Sequence, residues 1–125
     1  MPKLSKTSVP LKDFGPVAEH AGDLDGYTVG FTLFRHDLDH SPLLKGCKDD
    51  RCQCPHWGYV LRGKMTFRYP DRDETYDAGD AFYAPPGHVP INNTPETELL
   101  MFSPTVELKK TEEVIMKNLA AMQGK

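Results

Sequence analysis

No apolar run in the 125 residues approaches the ~20 needed to cross a bilayer as a helix, so no membrane partner is expected. The first residues, Met1-Pro2-Lys3-Leu4-Ser5-Lys6, carry positive charge with no apolar stretch behind it. No export signal is legible there, and a cytoplasmic setting is expected. The net charge is only −3, which leaves no basic footprint for nucleic acid. No period of roughly 20–50 residues repeats, which excludes solenoids and propellers. Paired catalytic carboxylates, a nucleophile elbow and a phosphate-binding loop are missing as motifs. Cysteine is scarce, at three residues, and an odd count without an export signal argues against a disulfide framework. Yet Cys47, Cys52 and Cys54 fall within eight residues of one another, close to His56. Such a cluster serves metal or thiol chemistry, the plainer alternative being small buried residues with one exposed thiol.

What is present is a series of short β-type runs cut by turn residues, in a chain long enough for one domain with its own core. Residues 25–36 alternate, placing Tyr27, Val29, Phe31 and Leu33 on one face of a half-buried strand. A turn-rich stretch from Asp37 to Arg51 follows. Trp57–Leu61 reads as a strand that breaks at Arg62-Gly63-Lys64, with Met65–Tyr69 as its hairpin partner. Further runs at 74–77, 81–84, 88–92 and 98–102 are separated by Ala78-Gly79-Asp80, Pro85-Pro86-Gly87 and Asn93-Thr94-Pro95. Many brief strands joined by Gly/Pro turns predict an all-β antiparallel sandwich or barrel over about residues 14–103. The aromatic residues Trp57, Tyr59, Phe67, Phe82 and Tyr83 are expected in its core, one or two of them walling a ligand pocket.

The tail changes character. Thr111 can cap a helix over about 111–123, with Glu112 and Glu113 in its first turn and an apolar stripe of Val114, Ile115, Leu119 and Met122. That helix is expected to pack on the barrel's outside or on a neighbouring subunit. His36 and His40, alternating in Arg35-His36-Asp37-Leu38-Asp39-His40, could line the barrel mouth, the plainer alternative being a solvated strand end.

Two segments make a more specific match. His56-Trp57-Gly58-Tyr59-Val60-Leu61-Arg62-Gly63 resembles the first cupin motif, in which histidines precede Glu-x6-Gly. Gly79-Asp80-Ala81-Phe82-Tyr83-Ala84-Pro85-Pro86-Gly87-His88 resembles the second, Gly-x5-Pro-x-Gly-x2-His-x3-Asn. Turn chemistry supports both, since Gly63 and Gly79 stand where tight turns need positive φ. Pro85-Pro86-Gly87 makes a rigid corner that delivers His88 to the next strand. The resemblance implies a single-domain cupin barrel, a double-stranded β-helix of jelly-roll type with a C-terminal helix, over residues 1–125. It also implies a homodimer. In this sequence His56 stands at the motif's glutamate position, cysteine and aspartate replace the preceding histidines, and His88 arrives two residues early.

The candidate metal ligands are His56, His88, Cys52 and Cys54. Cys52, Cys54 and His56 share one parity, so an extended strand would point all three inward. The Cα atoms of Cys52 and His56 would then lie about 13 Å apart, too far to share an ion unless the chain bends near Pro55. Mixed sulfur and imidazole ligation favours Zn²⁺, Fe²⁺ or Ni²⁺ over Mg²⁺ or Ca²⁺. Two alternatives stay open: a closed structural zinc site of Cys47, Cys52, Cys54 and His56, and a metal-free barrel with buried thiols. The corresponding functions are a metal-dependent enzyme on a small molecule, a non-catalytic small-molecule or metal-binding module, and a thiol redox or metal-buffering protein. For the first, the resemblance implies oxygenases, isomerases, lyases and decarboxylases as reaction classes.

Overall fold

Glycine and proline corners cut the chain into short extended runs, and the computed structural model, which describes residues 3–123, pairs them into two antiparallel sheets. The larger sheet joins, in spatial order, β1 (Leu11–Asp13), β2 (Val17–Leu24), β3 (Tyr27–Phe34), β9 (Thr97–Pro104), β4 (His56–Arg62) and β7 (Ala81–Ala84). The smaller joins β6 (Asp73–Asp77), β5 (Lys64–Arg68) and β8 (Val89–Asn93). Between the sheets lies a core of Phe34, Val60, Met65, Phe67, Tyr69, Tyr76, Phe82, Ala84 and Leu99. The buried phenols of Tyr69 and Tyr76 satisfy one another at 2.7 Å, as such groups must away from water. The expected all-β architecture with a C-terminal helix holds, and the late runs appear as β6, β7, β8 and β9.

The expected hairpin between Trp57–Leu61 and Met65–Tyr69 does not form. β4 pairs with β7 and β9, whereas β5 pairs with β6 and β8. The chain therefore changes sheets at Gly63, which sits at φ +82° behind a bulge between Val60 and Arg62. Both strands carry a buried residue set, Val60 on one and Met65 and Phe67 on the other. Facing each other across the core buries both sets, and lying side by side in one sheet would not.

The structure decides which face of β3 is inward. Thr32 and Phe34 point into the core, and the Tyr27, Val29, Phe31 and Leu33 face lies on the outside of the large sheet. Val29 is buried there because Leu4 and Val9 lie over neighbouring Gly22. Of the five aromatics expected in the core, Phe67 and Phe82 are there, while Trp57, Tyr59 and Tyr83 are 43%, 42% and 49% exposed on that outer face. Period-two alternation in a strand with apolar residues on both faces does not say which face is inward. β2 has no clean alternation and is not legible as a strand in the sequence.

The C-terminal helix α1 (Thr105–Gln123) begins six residues before the expected Thr111 cap. β9 runs straight into it through Pro104, and the Thr105 N–H donates to the Gly26 carbonyl at 3.0 Å. Glu107, not Glu112 or Glu113, occupies the first turn, and Thr111 is a buried mid-helix residue. Leu108 and Ile115 pack against Leu44, Cys52, Cys54 and Val89, while Met122, expected in the stripe, is exposed. The Asn118 amide donates to the carbonyls of Leu43 (2.7 Å) and Lys45 (2.9 Å), tying α1 to the 3₁₀ turn at Ser41–Leu44. Among the described residues no helix is long and apolar enough to cross a membrane.

Candidate metal centre

Three of the four predicted ligands converge. Cys52, His56 and His88 are all buried, and each offers one donor atom within 4.8 Å of the others. His56 opens β4, where its main chain is opposite Ala84. His88 immediately precedes β8, delivered by the Pro85-Pro86-Gly87 corner with Gly87 at φ +98°. Cys52 belongs to no strand. Its main chain is clamped to the same corner instead, the Cys52 N–H donating to His88 O (2.9 Å) and the Gly87 N–H to Cys52 O (2.8 Å).

Each imidazole is oriented by a partner behind it. Pro85 O can only accept, so at 2.7 Å it fixes the proton of His88 on Nδ1 and leaves Nε2 as the lone-pair nitrogen. His56 Nδ1 lies 2.7 Å from the buried Ser103 hydroxyl on β9, and its Nε2 is 3.7 Å from Cys52 Sγ. The two rings stand edge to face at 4.9 Å, and His88 stacks on Phe67 at 5.3 Å. Outer hydrogen bonds of this kind hold ligating histidines in one tautomer and one orientation.

Burial holds the set uncharged. It pushes His56 down to about 3, helped by His88, and His88 down to about 4 against the opposing Pro85 hydrogen bond. It pushes the Cys52 thiol up to about 11. Neutral imidazoles are the ligating form, so the histidines are ready to bind, whereas Cys52 would release its proton on meeting a cation. The residues thus fit a divalent transition metal in the Zn²⁺, Fe²⁺ or Ni²⁺ class. Three protein donors leave positions for an outside ligand, as in catalytic rather than closed structural sites.

Cys54 is not in this group. Its side chain is wholly buried among Leu44, Val89 and the α1 residues, with Sγ 3.4 Å from Pro55 O. The bend at Gln53–Pro55 rotates it out of the shared parity expected for a straight strand. Cys47 packs at the edge of the same apolar cluster, likewise outside the donor group. The four-residue Cys47/Cys52/Cys54/His56 arrangement therefore does not assemble in this geometry.

The donor group opens onto a cavity of about 460 Å³. Phe14, Phe34, Phe67, Leu43 and Met101 line it from the barrel side, and Leu108, Ile115, Met116 and Leu119 line it from α1. Polar lining is sparse: Thr32, Thr111, Lys12, His40, Glu19 and Glu112. Thr32 Oγ1 donates to Glu19 at 3.5 Å, a long bond. Burial raises the Glu19 carboxyl above its ordinary value, and the charge of Glu112 adds to this. Glu112 is raised by its own burial. His36 is exposed, as the plainer reading has it, whereas His40 lines the cavity. Neither Glu19 nor Glu112 stands out in the sequence as a site residue, and His40 does so only as one that could line the barrel mouth. Glu19 lies on the strand the sequence analysis missed, and the other two reach the cavity only through the placement of α1 and the 37–51 connection.

No family model and no curated protein matches the sequence. The solved structures that resemble it are far more informative. An RmlC-like cupin from Shewanella frigidimarina aligns at TM-score 0.57 and 18% identity, over 81% of this chain and 88% of that one. The chain has the cupin fold. KdgF from Halomonas sp. matches at TM-score 0.55 and 16% identity, over 80% of this chain and 90% of that one. The polyketide cyclase RemF from Streptomyces resistomycificus matches at TM-score 0.60 and 18% identity, over 83% and 79%. Within this cupin fold, Cys52 stands beside two histidines where the motif would supply histidines and a glutamate.

Proposed function

We propose that this protein binds one divalent transition metal through Cys52, His56 and His88 and uses it on a largely apolar small molecule held in the cavity. The observation that carries the reading is the pair of anchored imidazoles, with His56 Nε2 3.7 Å from Cys52 Sγ at the wall of a cavity of about 460 Å³. A bound ion would act as a Lewis acid on an oxygen of that molecule. The chain's own residues would supply the rest: aromatic and aliphatic walls, those of α1 among them, hold the molecule, and Ser103 and Pro85 keep the imidazoles in register. That one fold neighbour is named a polyketide cyclase is in keeping with a cavity of this lining.

The test is elemental analysis of protein purified without added metal. The expected result is close to one equivalent of Zn, Fe or Ni. Less than about a tenth of an equivalent, with none taken up on addition, would overturn the reading.

We also propose a homodimer formed on the outer face of the large sheet. Trp57 stacks on Tyr83 at 5.1 Å and meets Tyr27 at 6.2 Å, with exposed Tyr59 and Phe102 on the same face. Contiguous exposed aromatics on one sheet face mark an interface rather than ordinary surface scatter. A two-fold contact needs such a self-complementary patch.

A further inference from the structure

His40 leaves the barrel at the start of the 3₁₀ turn Ser41–Leu44, and its backbone is held on both sides. Its N–H donates to Pro90 O at 2.9 Å, and its carbonyl accepts from the Leu43 N–H at 2.9 Å. The preceding Asp39 carboxylate binds the Ser41 N–H (2.9 Å) and hydroxyl (2.6 Å). The ring itself stands edge-on to Phe34, centroids 5.5 Å apart, on the cavity wall. Its Nε2 is sealed from solvent and has no hydrogen-bond partner, the one such side-chain nitrogen or oxygen among the described residues. A buried polar atom normally finds a partner, because leaving water without one is costly. An unpaired nitrogen on a ring at the wall of an apolar cavity, a ring that no side-chain hydrogen bond keeps from turning, points to a partner that arrives with a ligand.

The chemistry of that partner follows from the walls. Burial pushes His40 down to about 4, against the pull of Asp39, so near neutrality the ring is uncharged, with one donor and one acceptor nitrogen. An uncharged imidazole pairs with a hydroxyl or a carbonyl. Phe14, Phe34, Phe67, Leu43, Met101 and Leu119 offer flat and aliphatic surface, which suits fused rings. Glu19 and Glu112 outnumber the one cation on the same cavity, Lys12, which disfavours an anionic ligand.

We infer that His40 is a ligand-positioning residue that hydrogen-bonds the hydroxyl or carbonyl of an uncharged, ring-bearing apolar molecule in the cavity. The inference rests on the reading of this cavity as a ligand site, and is independent of whether metal is bound.

The experiment uses chelator-treated full-length protein and two neutral probes of nearly equal shape, 2-naphthol and 2-methylnaphthalene, titrated by fluorescence. His40→Leu is expected to lower the ratio of their affinities about tenfold, the size of one hydrogen bond made in a buried site, while 2-methylnaphthalene binds within about twofold of wild type. His40→Gln, which keeps a polar group, retains part of the preference. Thermal melting of ligand-free His40→Leu is expected at or above wild type, because an unpaired polar atom has been removed. An unchanged affinity ratio, or a fall in Tm of more than about 5 °C that marks the ring as structural, overturns the role of His40. If neither probe binds wild-type protein, the cavity is not a ligand site and the broader reading falls with it. Zinc, iron and nickel content measured on the same preparations before chelation tests the metal reading separately.

Discussion

Cys52 and His56 meet with Sγ 3.7 Å from Nε2, although four residues of extended chain would hold their Cα atoms about 13 Å apart. The intervening residues are not strand. Pro55 has no N–H to donate to a ladder, and Gln53 turns its side-chain amide back to Lys48 O (2.9 Å) and Arg51 O (3.3 Å). Cys52 pairs instead with the His88 corner. The bend that brings the donors together is thus made by backbone pairing with a segment more than thirty residues downstream.

Removing single ligands tests that geometry. Cys52→Ser and His88→Ala are expected to reduce bound metal to below about a tenth of an equivalent, whereas Cys54→Ala retains nearly all of it. Ser103→Ala, which frees His56 Nδ1, is expected to weaken metal affinity by about 10–100-fold. Competition with a chromophoric chelator reads all four variants.

The thiols should differ in reactivity. Cys47 is partly exposed, while Cys52 and Cys54 are buried and burial pushes both thiols up, to about 11 and about 12. Thiolate is the reactive form. Titration of native protein with a disulfide reagent is expected to show one fast thiol, lost in Cys47→Ser, and two that react only on unfolding.

Stability of the metal-free protein should fall on mild acidification. His40, His56 and His88 are depressed to about 4, 3 and 4, against about 6.5 in the unfolded chain. Above that unfolded value all three are neutral in both states and cost nothing. As pH falls from about 6.5 toward 4 the unfolded chain takes up protons that the folded rings refuse. The loss is up to ~1.4 kcal/mol per pH unit per ring. Glu19 and Glu112, raised in the fold, act in the opposite sense and offset part of it. Urea midpoints between pH 7.5 and 4.5, with chelator present, measure the slope, which should be shallower in His40→Leu.

The two motif glycines should not be equally replaceable. Gly79 has φ +96° with open space where a Cβ would sit, so Gly79→Ala is expected to cost about 1–2 kcal/mol of backbone strain alone. At Gly63, φ +82°, a Cβ would also collide with Thr97 and Thr94. Gly63→Ala is expected to cost a further 1–3 kcal/mol or so, read as a lower urea midpoint.

Light scattering during size-exclusion chromatography tests the assembly. Wild type is expected at twice the chain mass, and the pair Trp57→Glu with Tyr83→Glu at the monomer mass with an unchanged circular dichroism spectrum. A monomeric wild type would remove the proposed interface.

Much of this was legible in the chain itself. Gly63, Gly79 and Gly87 do adopt positive φ, at +82°, +96° and +98°, because no other residue tolerates those turns so easily. The late strands lie where Gly/Pro punctuation puts them, and Cys52, His56 and His88 were among the residues singled out. What the sequence left open or misplaced shares one cause. Strand partners, the inward face of β3, the start of α1 and the exclusion of Cys54 all depend on what lies opposite in space. A local pattern of alternation is the same whichever sheet or face the strand joins.

By itself, then, the sequence determined the turns and the β-rich class and named the three residues on which the metal proposal rests, since these follow from backbone sterics and side-chain chemistry at single positions. Tertiary structure alone decided that Cys52 faces His56 while Cys54 does not, and that Glu19, His40 and Glu112 line one cavity. It also left Trp57 and Tyr83 outside the core. Those outcomes arise from hydrogen-bond pairing between distant segments and from how α1 closes over the barrel, which no local spacing encodes.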